Sequence, residues 1–79
     1  MEKHEAFLFD VGFEIKERAK KAKQRRNGYT RGSDQYHLQA GRVVAFSEVL
    51  TILQQTAEAL GIPLSALRID DIDPDADLL

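Results

Sequence analysis

The densest chemistry in this sequence is cationic. Lys16, Arg18, Lys20, Lys21, Lys23, Arg25, Arg26 and Arg31 fall within sixteen residues, offset only by Glu17, for a net charge of +7. Lys and Arg at this density neutralise phosphates and release condensed counterions, the sequence-independent part of nucleic-acid binding. Tyr29 adds a ring on which a base could stack. The candidate polyanion-binding set is therefore Lys20, Lys21, Lys23, Arg25, Arg26 and Arg31. Three features favour other readings, a solvated helix end or a docking surface for an acidic protein. The run lies at the C-terminal end of an expected helix, where the macrodipole favours cations. Its side chains also project all round that helix, and the sequence pI of about 5.6 is low for a dedicated nucleic-acid binder.

The acidic counterpart is Asp71-x-Asp73-x-Asp75-x-Asp77. Its spacing resembles the start of a calcium loop, which requires Gly at the sixth position and Glu at the twelfth. The sixth position here is Ala76 and no twelfth follows, so a solubilising acidic tail over 70–79 is expected, shielding the basic run. Leu78 and Leu79 suggest that the end of this tail docks on an apolar groove. His4 and His37 have no metal-ligand spacing. Ser33, within Gly32-Ser33-Asp34, reads as a helix start and not as a nucleophile elbow. Gly28 and Gly32 match no phosphate loop. The absence of cysteine removes thiolate nucleophiles, disulfides and thiolate metal sites together. The expectation is no catalytic residue, no metal and no cofactor.

Seventy-nine residues allow one domain, 1–79. An apolar share of 43% against 30% charged residues is a globular balance. No apolar run reaches the ~18 residues of a membrane span, and MEKHEAFLF has no secretory pattern. A cytoplasmic protein without a membrane contact is expected. The charge is unevenly divided: residues 1–42 carry ten Lys/Arg against six Asp/Glu, whereas 43–79 carry one against seven. Such a split suggests charge-guided contact between the halves, within a chain or between chains.

Residues 34–60 read as a helix. Ser33 or Asp34 can cap it, and Gly61 with Pro63 beyond can end it. Val43, Phe46, Leu50, Leu53, Ala57 and Leu60 recur at steps of three and four. A second apolar set, Leu38, Ala45, Val49, Ile52 and Ala59, lies beside the first, and together they span roughly 200°. Val44 falls among the polar positions. One neighbouring helix needs a narrower stripe than this, so helix 2 is expected to have neighbours on two sides.

Residues 3–26 are ambiguous at their start. Phe7, Phe9, Val11, Phe13 and Ile15 alternate as in a strand. Leu8, Val11, Ile15, Ala19 and Ala22 keep a helical spacing that outlasts the alternation, and good helix formers flank it. Helix is the preferred reading over 6–15, with strand as the alternative. Gly12 weakens a helix by about 1 kcal/mol but would admit a close neighbour, for which Gly41 and Ala45 are suitable. The four phenylalanines are expected to be core. A connection of about seven residues after Asn27-Gly28 suits an antiparallel hairpin. Residues 62–67 could add one short helical turn with Pro63 early in it, folding Ile62, Leu64, Leu67 and Ile69 over the open end.

Ala45-Phe46-Ser47-Glu48-Val49-Leu50, Gly61-Ile62-Pro63-Leu64, Asp71-Ile72-Asp73-Pro74 and the final Asp77-Leu78-Leu79 form a further pattern. With it the chain resembles small uncharacterised bacterial proteins that share GI-x-L…DIDP…DLL. The resemblance covers about half the chain and implies no activity and no catalytic residue.

The expected fold is thus all-α: a two-helix antiparallel hairpin with a short C-terminal turn, closing a four-helix bundle as a dimer. Small domains without disulfides or metals commonly gain stability by oligomerising. Ala45, Val49, Ile52 and Ala59 would form the dimer interface, because an uncovered second set would leave a sizeable apolar patch in water. The alternative is that 62–69 fold back over that set and leave a monomer. A small cytoplasmic interaction or regulatory protein acting as a homodimer is the expected function. A nucleic-acid-binding regulator using residues 16–31 is the alternative.

Overall fold

The computed structural model describes all residues, 1–79. It is all-α, with α1 over Lys3–Gly28, α2 over Asp34–Ala59, a 3-10 turn over Leu64–Leu67 and α3 over Pro74–Leu78. The start and stop signals of α2 act where the sequence places them. The Ser33 hydroxyl accepts a hydrogen bond from the Tyr36 amide at 3.2 Å. At the other end Gly61 takes φ of 70°, its amide donates to the Glu58 carbonyl, and the Ile62 amide donates to the Ala57 carbonyl at 2.8 Å. This pair of bonds is a Schellman ending, and glycine meets its left-handed requirement without a Cβ penalty.

α1 runs helically through Phe7 to Ile15, so the helical spacing prevails over the alternation. Ala19 and Ala22 of α1 meet Val43, Leu50 and Ala57 of α2 in one core cluster. Small side chains on α1 let the two helix axes approach closely. The phenylalanines depart from expectation. Phe7 is exposed, while Phe9, Phe13 and Phe46 are only half-buried. The alanine-lined seam has no room for rings, so they stand at its margins. Phe9 and Phe13 instead offer their faces to the Arg68 guanidinium, at 4.8 and 3.9 Å from the ring centres. Arg68 closes the 3-10 turn in the left-handed region, φ 55°, a conformation that costs a residue with a Cβ about 1–2 kcal/mol. Cation–π contact offsets part of that cost.

Gly12 admits a close neighbour, but not the expected one. A Cβ there would overlap the Leu67 carbonyl of the 3-10 turn, whereas Gly41 faces open space. The turn therefore sits directly on the α1 backbone. Pro63 precedes the turn as its cap and is not inside it. Beyond Arg68 the chain runs back along one side of the hairpin as a strap, burying Ile69, Ile72, Pro74 and Leu78. α3 is an element that the expected acidic tail did not include, although Asp73 followed by Pro74 is a local helix start. Asp73 caps it by accepting from the Asp75 and Ala76 amides at 3.1 and 3.2 Å, and Asp77 accepts from the Asp73 amide at 2.7 Å. Asp73 thus caps the first free amides of α3 while Asp77 reaches back to the Asp73 amide, which satisfies orphan donors at the helix start.

The molecule measures 44 × 21 × 16 Å. Its thinnest dimension is little more than one helix diameter, about 10–12 Å. A slab this thin can cover one side of the hairpin with the strap but cannot enclose α2.

Candidate self-association face

α2 owes its exposed face to its composition. Apolar residues occur almost all round it, and a helix of that kind is normally enclosed. α1 covers Val43, Leu50 and Ala57. The strap covers an adjacent flank, where the Gln54 amide group donates to the carbonyls of Ile69 and Ile72 at 3.1 and 2.9 Å. Nothing in the chain covers the rest. Leu38 is 64% exposed, Val49 40% and Ile52 61%, and Ala45 and Ala59 are exposed with them. All four interface candidates, Ala45, Val49, Ile52 and Ala59, therefore lie together on one open face. The alternative in which 62–69 blanket this set does not occur, because the 3-10 turn packs on Gly12 of α1 instead.

The structure adds members that the second apolar set did not include. Arg42 and Thr56, both exposed, fall in line with it. The complete series is Leu38, Arg42, Ala45, Val49, Ile52, Thr56, Ala59, at alternating steps of four and three. That is the seven-residue repeat of a helix seam. The signal lay in the sequence, hidden because its second position is an arginine. At the edge of the face, Val44, Ile52 and Leu79 line an open groove of about 410 Å³ with Ser47, Glu48, Thr51 and Asp75. Leu79 is thus not docked, and only Leu78 fulfils the expectation of a seated tail end.

The basic run is divided by the strap. Lys16, buried along its stem, meets the exposed Asp71 carboxylate at 2.9 Å. This hydrogen bond holds the Asp71 carboxyl below the usual carboxylate range. Lys23 donates to the Asp77 carbonyl and Arg26 to the Leu78 carbonyl at 3.4 Å. Lys20 lies 4.0 Å from Glu17 and shares a polar groove with Asp71 and Asp77. Of the six candidate polyanion ligands, Lys23 and Arg26 are therefore engaged by the strap, and Lys20 faces it. Lys21, Arg25 and Arg31 remain exposed. Lys21 and Arg25 line a crevice of about 350 Å³ with Arg18, Arg42, Glu14, Glu17 and Phe13. Arg18 and Arg42 are additions that the sequence set lacked. The Arg42 member could not have been found without the fold, since it comes from the other helix.

An apolar groove of about 430 Å³ opens between the start of α1 and the segment 62–66. No group of three or more His, Cys, Asp or Glu is gathered where it could hold a metal ion. No helix is long and apolar enough to cross a membrane. Comparison with family models, with curated proteins and with solved structures yields no match to this chain.

Proposed function

We propose that this chain is a small interaction protein that works as a homodimer, through association and not catalysis, with the open face of α2 closing a four-helix bundle between two hairpins. The reading rests on one observation. Leu38, Val49 and Ile52 stand 64, 40 and 61% exposed on one face of a well-capped helix. Their seven-residue periodicity is that of a seam, not of scattered surface residues. A second hairpin is the commonest way to cover such a face, since two-fold dimers predominate among soluble assemblies.

Light scattering after size exclusion at micromolar concentration tests it. The expected mass is twice the 8.9 kDa of the chain. Val49→Asp or Ile52→Asp should give a chain-mass species that keeps its helical content, because both side chains are exposed in the protomer and only the dimer would bury the new charge. A monomeric native protein, or an Ile52→Asp variant that still dimerises, overturns the proposal.

A second reading is supported by the crevice of Arg18, Lys21, Arg25 and Arg42, which the strap leaves free. There the basic flank would dock a nucleic-acid backbone. Gel shifts on DNA and RNA at low salt should then weaken steeply as salt rises. The shift should disappear when Arg18, Lys21 and Arg25 become Gln. No shift at low salt, or one untouched by these changes, removes this reading.

A further inference from the structure

We infer that the two copies pack their α2 helices antiparallel, with the two-fold axis beside Val49, so that Ala45 lies against the partner's Ile52 and Leu38 against the partner's Ala59. This rests on the dimer proposed above and specifies its geometry.

The order of side-chain sizes along the seam carries the argument. Leu38 and Ile52 are large and Ala45 and Ala59 small, so that large and small alternate every seven residues. In a parallel, in-register pair every layer meets its own copy. Ile52 would press on the partner's Ile52, while Ala45 would face the partner's Ala45 across a void. Interiors tolerate neither overpacking nor cavities cheaply. Reversing one helix about Val49 places a large residue against a small one in each of these layers, so they fill evenly and the backbones run at a constant distance.

Charge points the same way. A parallel seam sets Arg42 against the partner's Arg42 inside the contact, where two like charges would be desolvated together. The antiparallel seam sets Arg42 near the partner's Thr56, a hydroxyl able to accept its hydrogen bonds. The two Arg42 side chains then stand about 20 Å apart along the axis, at 1.5 Å per residue. That exceeds the Debye length of about 10 Å at 0.1 M salt.

The two-fold axis of an antiparallel pair is perpendicular to the helices and keeps like flanks on the same side. On α2, Val44 marks the flank where Asp75 and Leu79 of the strap lie, and Arg42 marks the flank of the basic crevice. The dimer would therefore present both crevices on one face and both acidic straps on the other. A parallel dimer would put one of each on either side.

The chain contains no cysteine, so single-cysteine variants read the geometry directly. A disulfide requires Cα atoms about 4.4–6.8 Å apart. Val49→Cys should cross-link with itself on mild oxidation. Ala45→Cys alone and Ile52→Cys alone should not, because equivalent residues would lie about 10 Å apart along the axis. Co-refolded Ala45→Cys and Ile52→Cys should give a covalent band of twice the chain mass. Self-cross-linking of Ala45→Cys and of Ile52→Cys, with no gain on mixing, overturns the antiparallel arrangement while leaving the dimer. A dimeric mass in reducing buffer without any cross-link overturns this seam. A monomeric mass for the native chain and every variant overturns the dimer itself, and the inference with it.

Discussion

Along one side of α2, Leu50 and Val43 are fully buried beneath α1 and the strap, while across the same helix Ile52 and Leu38 stand mostly in solvent. Leucine and valine occur on both sides, so hydrophobicity does not distinguish them. What differs is cover. The strap reaches only one flank, and it is held there by a small number of specific devices. Gly12 lets the Leu67 carbonyl touch α1. Leu78, Ile69 and Ile72 insert into the core. Gln54 ties two strap carbonyls, and Lys16 ties Asp71. The chain thus covers one side of α2 by itself and leaves the other side exposed.

The contrast can be broken most sharply at its buried side. Leu78→Ala should cost about 2–5 kcal/mol, as deletion of a fully buried leucine does. Ile52→Ala, measured in urea at dilutions where chains do not meet, should cost less than about 0.5 kcal/mol, as surface changes do. Equal losses at the two positions would mean that the two faces do not differ in cover. Gly12→Ala comes next, at about 1–3 kcal/mol, because the added methyl meets backbone and the turn must lift. A drop in the urea midpoint with an unchanged fold by circular dichroism is expected, and an unchanged midpoint would show that the 3-10 turn does not rest on α1.

Two smaller effects sharpen how the strap is held. Gln54→Leu removes both hydrogen bonds to the strap and should cost about 1 kcal/mol. It should also speed amide exchange at Ile72 and beyond more than in α1. Asp71→Asn should cost less than about 1 kcal/mol, because the pair is open to solvent on the Asp71 side. Its pH dependence has a definite sign. The folded-state carboxyl is held below its ordinary range by Lys16, so the contribution is present at neutral pH. It fades as acid protonates the group. Stability lost on going from neutrality to about pH 3 should be smaller in Asp71→Asn than in the native chain. Identical acid losses would remove Lys16 as the cause.

The two long helices, their direction reversal and the ends of α2 were legible in the sequence. Ser33, Gly61 and the three–four spacing of Val43, Phe46 and Leu50 act over a few residues, so the local chain carries the whole signal. The open stripe was legible as well, since Ala45, Val49, Ile52 and Ala59 exceed what one neighbour can cover. The acidic segment was not. Its aspartates have separate tasks: Asp73 and Asp77 cap α3 over two to four residues, whereas Asp71 pairs with Lys16 across the chain, and only the fold assigns that pair. The same holds for the cations. Lys23 and Arg26 look like Lys21 and Arg25 in the sequence, yet the first two face strap carbonyls and the others face solvent. These distinctions depend on pairs more than fifty residues apart, such as Lys16 with Asp71. No local propensity encodes such a pairing. It follows from where the Leu67 carbonyl comes to rest on Gly12, which sets the path of every residue after it.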